Sequence, residues 1–331
     1  MSATTVISLL WCQIALILGL LGNSYVLFAT ISHNAIKLDK VSIWIIQNLA
    51  VADIANCVMF ILPVIITLYA RGEWVLGDTF CGVFFVYKYS CLVANMILMN
   101  LLSLNKLMRC LFPLRSLSSS RRQRYLITAV TAFGSAVLPA WSFYGTVVAK
   151  FLIVEFSASQ CTCWSVYTED AAPWTYAVGY AMAGVLNAVP CVTLVLMNIF
   201  LVAYALKKTN RTVNKMNILI VVLVTTIFVI PMLPYFICYI LFGNEWDEGL
   251  GTIRFITFIM FVSSFANPLI YLLTNKGFKQ FTKGILSKGY AESVSVWSSF
   301  RVSYRTNRTG AEDEKDGGTA DCECSINVNI S

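Results

Sequence analysis

The stretch that decides the fold lies late in the chain, where residues 261–281 read FVSSFANPLIYLLTNKGFKQF. Its first half is apolar and contains Pro268, a residue that would break a helix in water. A helix in a membrane tolerates such a proline because neighbouring helices satisfy the freed backbone groups. In the second half, Phe278, Phe281 and then Ile285 recur at helical spacing with lysines between them. We therefore expect a spanning helix followed by a short amphipathic helix on the membrane surface.

The composition of the whole chain also indicates a membrane protein. Of its 331 residues, 58% are hydrophobic and 12% are charged, and the mean hydropathy is +0.71. Soluble domains carry about 25% charged residues, so this chain has too little polar surface for a soluble exterior. These values exclude a soluble enzyme, a disordered protein and a nucleic-acid-binding protein. The 11 cysteines are scattered and do not form a disulfide scaffold.

Outward from residue 261, six further stretches reach the ~20 apolar residues that a spanning helix needs. Together the seven cover residues 6–31, 41–69, 80–108, 124–147, 174–206, 216–243 and 251–274. The first has no basic segment before it and no clear cleavage site after it, so we interpret it as a retained helix. An odd number of spans shows no duplicated halves, which counts against an inverted-repeat transporter. We predict an all-α membrane protein with one seven-helix domain.

That domain should include the amphipathic eighth helix and cover residues 1–286. Residues 287–331 are rich in serine, glycine and charge, which is typical of a disordered tail. Four tail serines, Ser293, Ser295, Ser298 and Ser299, allow two interpretations: an unstructured segment or a patch regulated by a kinase.

The distribution of basic residues predicts the orientation in the membrane. All but four of the 24 Lys and Arg residues fall on one side, in alternate loops and the tail. The four exceptions are Arg71, Lys88, Lys150 and Arg254, whereas eight acids lie on their side. Because cytoplasmic loops carry the excess of basic residues, we expect an extracellular N-terminus and a cytoplasmic tail.

Asp53 is the only acid deep inside a predicted span, where a buried carboxylate is costly and marks a functional hypothesis. Polar residues of other spans should surround it, namely Asn23, Asn95, Ser263, Ser264 and Asn267. Carboxylate, hydroxyl and amide oxygens suit a small hard cation or water. A purely structural polar network remains the alternative.

Recurring residues stand at fixed places in these spans: Gly22-Asn23, Leu49-Ala50-Val51-Ala52-Asp53, Trp74 before Cys81, Pro113-Leu114, Pro190, Phe228 with Pro234-Tyr235, and Asn267-Pro268-Leu269-Ile270-Tyr271. Over residues 10–285 this pattern resembles the rhodopsin-like G-protein-coupled receptors. Each motif alone is weak, but all stand in order and each in its own span. The resemblance implies a plasma-membrane receptor, not an enzyme, that binds an extracellular ligand and signals through a heterotrimeric G protein. Partners implied with it are arrestin and a receptor kinase at the serine-rich tail.

The resemblance also implies site residues. The polar cluster around Asp53 is similar to the family's sodium site, so an allosteric sodium ion is the one cofactor to consider. A disulfide should join Cys81 to either Cys161 or Cys163 in the second outer loop. That loop alternates over residues 150–156, turns at 157–160 and resumes at 161–167, which predicts a β-hairpin over the pocket. The ligand pocket should include Lys88, Tyr89, Leu92, Tyr235, Thr257 and Phe261.

Lys88 lies seven residues after Cys81 and seven before Asn95, so the three share a helix face. The lysine should therefore point into the bundle and pair with an acidic ligand group. The alternative is a lysine that reaches the rim or pairs with Glu73 or Glu155. Amine receptors carry an acid where Lys88 stands, and opsins carry their retinal lysine where Phe261 stands, so neither ligand class is expected. A small peptide is the first expectation.

The cytoplasmic switch departs from the family pattern of an acid, an arginine and an aromatic residue. Here the three are Asn105, Lys106 and Leu107, and Asn105 cannot form the ion pair that restrains the basic residue. Lysine also lacks the planar fork of arginine. Two more switch positions differ, Asn198 for tyrosine and Met232 for tryptophan, while Phe228, Pro234, Pro268 and Tyr271 fit. We expect a weakened inner restraint and inefficient coupling.

Three other functions compete with a signalling receptor. A decoy or weakly coupled receptor would share the fold. A transporter or channel would need several charged residues along one path, but the spans show essentially one. An intramembrane enzyme would need a nucleophile with a base or paired acids at depth. His33 is the only histidine and lies in a loop, and Asp53 has no partner acid.

Overall fold

The computed structural model describes residues 3–32, 38–112, 121–157, 162–207, 215–242, 250–285 and 287. Within these ranges the chain forms seven long helical segments, α1 to α7. Their bounds are α1 Ala3–Ser32; α2 Lys40–Asn56 and Leu62–Tyr69 around a π-helical turn Cys57–Ile61; α3 Asp78–Leu111; α4 Arg121–Phe143 with the π-helical end Tyr144–Val148; α5 Pro173–Ala183 and Val189–Lys207 around the π-helical turn Gly184–Ala188; α6 Lys215–Phe242; and α7 Leu250–Thr274. Five are long and apolar enough to cross a membrane, and Ile218–Leu233 and Phe261–Thr274 are shorter apolar helices.

The predicted seven-helix bundle is therefore confirmed, and each predicted span falls on one helix. Helix α3 is central, since it contacts α2, α4, α5 and α6. Helix α1 packs against α2 and α7, and α6 packs against α5 and α7, so the helices close into a bundle.

Two of the π-helical turns end two residues before a proline. In α2 the turn Cys57–Ile61 precedes Pro63, and in α5 the turn Gly184–Ala188 precedes Pro190. A proline ring clashes with the carbonyl group four residues earlier and offers no N–H to it. The wider turn in α2 moves the hydrogen bond to a fifth residue, from the Leu62 N–H to the Cys57 carbonyl. The helix thus continues past the proline into Leu62–Tyr69.

Close approach of α1 to α7 depends on glycine. A Cβ atom on Gly22 would lie 2.8 Å from the Cβ of Pro268 on α7, and one on Gly19 would lie 2.5 Å from the Sγ of Cys57 on the neighbouring α2. Neither position has room for a side chain. Helices α1 and α7 also share a hydrogen bond beside the Gly22 contact, from the Asn23 amide to the Ser264 carbonyl at 2.6 Å. The Gly22-Asn23 motif is therefore a packing element between α1 and α7.

Between α4 and α5 the chain forms two antiparallel strands, β1 Leu152–Ser157 and β2 Thr162–Tyr167, with Leu152 opposite Tyr167 and Ser157 opposite Thr162. The strands contact α3. The predicted turn and Cys161 lie outside the described residues, and the function of the strands as a cover over a pocket stays a prediction.

By its internal contacts the chain divides into two units, Met1–Lys279 and Gln280–Ser331. Residues 276–285 are helical and form α8. In the first unit Phe278 is buried, stacks on Tyr271 at 5.9 Å between ring centroids, and its carbonyl accepts from the Tyr25 hydroxyl at 3.1 Å. The position of α8 at a membrane surface stays a prediction. In the second unit the tail from residue 288 onward, with its four serines, lies outside the described residues.

Candidate functional site

A buried polar cluster forms where α2, α3 and α7 meet. The Asp53 carboxylate is 1% exposed. Its Oδ1 accepts a hydrogen bond from the Asn95 amide and its Oδ2 accepts one from the Asn267 amide, both at 3.2 Å. One carboxyl group therefore joins three helices through two hydrogen bonds.

The other residues of the expected cluster form a second group beside the first. Asn23 donates to the carbonyl groups of Gly19, at 2.9 Å, and Ser264, at 2.6 Å. The Ser264 hydroxyl accepts from the Asn56 amide at 2.9 Å, and Ser263 is buried nearby on α7. Sequence reasoning did not include Asn56, although its position one turn after Asp53 on the same helix could have suggested it.

The side-chain oxygens of Asn95 and Asn267 are buried and accept no hydrogen bond from any described residue. A buried acceptor without a donor is costly. Two such amide oxygens beside a carboxylate fit the chemistry of a small hard cation, which prefers oxygen ligands.

At one end of the bundle a disulfide joins Cys81 at the start of α3 to Cys163 in β2. This confirms the predicted bridge and identifies its second cysteine. Aromatic rings surround it: Trp74 stacks on Phe156, with ring centroids 5.5 Å apart, and meets the edge of Phe84 at 5.4 Å. The bridge and these rings hold the strands against α3.

Below this end lies a cavity of about 30 Å³. Its wall consists of Asn56, Phe60, Lys88, Leu92, Asn95, Phe228, Met232, Phe261 and Ser263. The cavity is therefore lined by residues of the expected ligand pocket, by residues of the polar cluster and by two residues of the expected switch. The side chains of Pro234, Tyr235 and Thr257 lie outside the described part of the chain.

Lys88 faces this cavity between aromatic rings. Its Nζ lies 5.0 Å from the ring centroid of Tyr89 and 5.7 Å from that of Phe60, distances at which a cation is attracted to a ring. Glu73 and Glu155, its alternative partners, are exposed. Phe261 is fully buried and packs edge to face on Phe60 at 5.1 Å.

At the opposite end, an acid that sequence reasoning missed contacts the switch residues. Lys106 Nζ lies 3.1 Å from Oδ2 of Asp39, and the Asn105 amide donates to Oδ1 of Asp39 at 3.0 Å. Arg109 lies 3.3 Å from the same Oδ1. The expectation that Lys106 lacks an acidic restraint is therefore wrong, because the acid comes from another helix.

Asp39 holds its position because it caps α2. Its side chain accepts from the Ser42 N–H and from the Ser42 hydroxyl, each at 2.8 Å. Burial alone would raise the pKa of this carboxyl, but the Lys106 ammonium and the hydrogen bonds from Ser42 and Asn105 lower it to about 2. An Asp three residues before a Ser at the start of an apolar run is a helix-start signal, and this signal could have identified Asp39 from the sequence.

The remaining switch residues lie between these two ends. Asn198 is buried and its amide donates to the Thr225 hydroxyl at 2.6 Å, which joins α5 to α6. Phe228 and Met232 are buried on α6, Pro268 lies inside α7, and Tyr271 stacks on Phe278. Leu107 is half-buried.

The sequence matches the model of the 7 transmembrane receptor (rhodopsin family) over residues 22–271. Galanin receptor 2b of Danio rerio is 25% identical over 311 residues, which cover 89% of this chain and 79% of that receptor. Somatostatin receptor type 5 of Bos taurus is 26% identical over 301 residues, covering 86% and 77%. The crystal structure of squid rhodopsin shares the fold, with a TM-score of 0.65 over 84% of both chains at 15% identity.

Proposed function

The chain belongs to the rhodopsin family of seven-transmembrane receptors, and from this premise we propose that it binds an extracellular ligand inside the helix bundle and signals through a heterotrimeric G protein. It is a receptor and not an enzyme.

The observation that carries this proposal is the cavity shared by three groups of residues. Its volume of about 30 Å³ has room for about two water molecules, since one needs ~10–15 Å³ on this measure. A larger ligand group would displace the lining side chains. Among them are Lys88 towards the disulfide, Asn95 of the polar cluster and Met232 on α6. Since a ligand shifts a conformational equilibrium only through contacts that differ between states, this wall is suited to transmit binding to α6.

The ligand we propose is a small peptide or a small molecule with an anionic group. Lys88 supplies a positive charge in the cavity wall, where a carboxylate could replace its contacts with the rings of Tyr89 and Phe60. The named ligands of two relatives, galanin and somatostatin, are peptides. The two strands anchored by the Cys81–Cys163 bridge would cover the bound ligand.

We propose that the N-terminus and the disulfide face the outside of the plasma membrane and that Asp39 faces the cytoplasm. The bridge supports this orientation, because disulfides persist on the oxidising side of the membrane. The excess of basic residues at the Asp39 end supports it as well. Arrestin and a receptor kinase would then act on the tail.

A sodium ion at Asp53 would be held by its carboxylate and by the amide oxygens of Asn95 and Asn267, which lack hydrogen-bond donors among the described residues. Such an ion would neutralise the buried carboxylate and tie α2, α3 and α7 together. It would stabilise the arrangement of helices in which these three side chains meet.

A weakly coupled or decoy receptor of the same fold is the second candidate. Lys106 presents a point charge instead of the arginine fork that suits bidentate contacts. Asn198 is bonded to Thr225 and is shorter than the tyrosine of the family pattern. Both features would reduce contact with a G protein.

The test is a screen of peptides and small metabolites against cells that express the receptor, read by G-protein activation and by arrestin recruitment. A hit should lose potency in Lys88→Gln, because the cavity loses its charge. Lys150→Gln, which removes an exposed lysine near β1, is the matched control and should respond like the wild type. Ligand-driven arrestin recruitment without activation of any G protein would favour the weakly coupled receptor.

A further inference from the structure

We propose that Asp39 is the acid that holds Lys106 in the closed arrangement of the bundle, so that the restraint on the G-protein face runs from the start of α2 to α3. This inference rests on the proposed function, because it concerns how a signalling receptor stays closed without ligand. Asp39 is a positioning residue: it acts through Lys106.

The contacts of Asp39 tie the two helices together at one carboxylate. On the α2 side, Ser42 donates to both of its oxygens through its N–H and its hydroxyl. On the α3 side, Lys106 lies at 3.1 Å and Arg109 at 3.3 Å. The side chains of Asp39 and Lys106 are each only 10% exposed. A pair this sheltered is screened less by salt than a surface ion pair.

Asn105 fits this arrangement because it is a donor. Its amide nitrogen lies 3.0 Å from Oδ1 of Asp39 and 3.0 Å from the Ser42 hydroxyl. An aspartate at 105, which the family pattern calls for, would bring a second carboxylate to hydrogen-bonding distance of the first. Like charges at this distance disfavour each other. The acid that contacts Lys106 therefore stands at the start of α2, and Asn105 is compatible with it because its amide donates to the same carboxylate.

This restraint differs from a pair formed within one helix. Two neighbouring residues on α3 move as one body, whereas Asp39 is fixed to α2 by its cap. Any motion that separates the inner ends of α2 and α3 must break the Lys106 and Arg109 contacts together, and a turn of Lys106 towards a G protein must break its own contact with Asp39. The restraint thus acts on the relative position of two helices.

The experiment is a charge-relocation cycle in the full-length receptor, with Asp39→Asn, Asn105→Asp and the double variant. Asparagine caps a helix about as well as aspartate, so Asp39→Asn removes the charge and keeps the cap. The readouts are ligand-free G-protein activation at matched surface expression, across a panel of G proteins, and the thermal unfolding midpoint of purified receptor. Asp78→Asn, which changes an exposed acid in the first turn of α3, is the control.

We expect Asp39→Asn to raise basal activation about tenfold, the change that ~1.4 kcal/mol produces in an equilibrium, and to lower the midpoint. The effect of Asn105→Asp on the unfolding midpoint should have opposite signs in the wild-type and the Asp39→Asn backgrounds. It should lower the midpoint in the wild type, where two carboxylates meet. It should raise the midpoint and reduce basal activation in Asp39→Asn, where the new acid can pair with Lys106. Asp78→Asn should match the wild type in both readouts.

Additive midpoint changes in this cycle, with no reversal, would overturn the proposal. If Asp39→Asn does not reach the cell surface, Asn105→Asp alone decides, because a raised midpoint in the wild-type background contradicts two facing carboxylates. The midpoints also separate this proposal from the proposed function. A sign reversal in a receptor that activates no G protein in any variant supports the Asp39 restraint and contradicts signalling. Ligand-driven signalling with additive midpoint changes supports the proposed function and contradicts the Asp39 restraint.

Discussion

Lys106 Nζ lies 3.1 Å from Oδ2 of Asp39, 67 residues earlier in the chain. The pattern of residues 105–107 suggests a receptor that has lost its inner restraint, because Asn105 cannot hold a neighbouring cation. The structure shows instead that Asn105 and Lys106 both donate to the same carboxylate. Asn105 departs from the family pattern within α3, but it is compatible with the acid that α2 presents, because it donates a hydrogen bond to Asp39.

The contribution of Asp39 to stability should not change between about pH 8 and pH 5. Its pKa falls from an ordinary 3.8 to about 2. A lowered folded-state pKa stabilises the fold above the unfolded value, ~3.9, and that contribution is lost as pH falls through the folded value; at neutral pH it amounts to about 2 kcal/mol. The measurement is the difference in unfolding midpoint between wild type and Asp39→Asn across this range. Below about pH 4 the difference should shrink as pH falls towards the folded-state pKa of about 2, and a difference that stays constant through that range would contradict the lowered pKa.

Breaking the bridge between α3 and β2 should destabilise the receptor. Cys81→Ser and Cys163→Ser should each lower the unfolding free energy by about 2–5 kcal/mol, and the double variant should lose no more than either. Cys161→Ser should behave like the wild type, because Cys81 pairs with Cys163. Surface expression and the unfolding midpoint are the readouts. A loss in Cys161→Ser without one in Cys163→Ser would show that Cys161 forms the bridge, and no loss in either would show that the two cysteines replace each other.

A side chain at Gly22 should separate α1 from α7. Gly22→Val places a branched side chain where a Cβ already lies 2.8 Å from Pro268, and overpacking of this kind costs about 1–3 kcal/mol. Gly82→Val is the matched control, since no atom lies within 4 Å of a Cβ on that glycine of α3. The midpoint should fall in the first variant and stay close to wild type in the second. Equal midpoints would mean that α1 shifts without cost.

Sodium should stabilise the receptor through Asp53. Replacing sodium chloride by choline chloride at equal ionic strength should lower the unfolding midpoint of the wild type, because a cation that binds only the folded state stabilises it by mass action. Asp53→Asn should show no such dependence. Asp170→Asn, which removes an exposed acid between β2 and α5, should keep it. If the unfolding midpoint of the wild type is the same in sodium chloride and choline chloride, the polar cluster is a structural network without a bound cation.

The three sequons, at Asn210, Asn307 and Asn329, should carry no glycan, because all fall on the side predicted to be cytoplasmic. The measurement is the mobility of the receptor from mammalian cells before and after glycosidase treatment. As a positive control, a sequon inserted next to Lys150 on the opposite side should be glycosylated. A glycosidase-sensitive shift that disappears when one native sequon is mutated would reverse the orientation.

The number of helices, the family and the components of the polar cluster could be predicted from the sequence. Apolar length and the placement of Pro268 are local properties, and each depends on a few neighbouring residues and on the solvent around them. Asp53 could be singled out because a carboxylate within a long apolar stretch is costly wherever the other helices lie. The strands over 152–157 and 162–167 followed from alternation in the same way.

The partners of these residues were decided by the tertiary structure. Asp39 meets Lys106, and Asn198 meets Thr225, because the packing of neighbouring helices brings side chains far apart in the chain into one place. The choice of Cys163 over Cys161 depends on how β2 lies on α3, and no spacing in the sequence distinguishes the two. A spanning helix depends on the polarity of one segment, whereas a hydrogen bond between helices depends on the rotation and separation of two. The apolar length of a segment therefore predicts the span, and the packed bundle determines which acid holds Lys106.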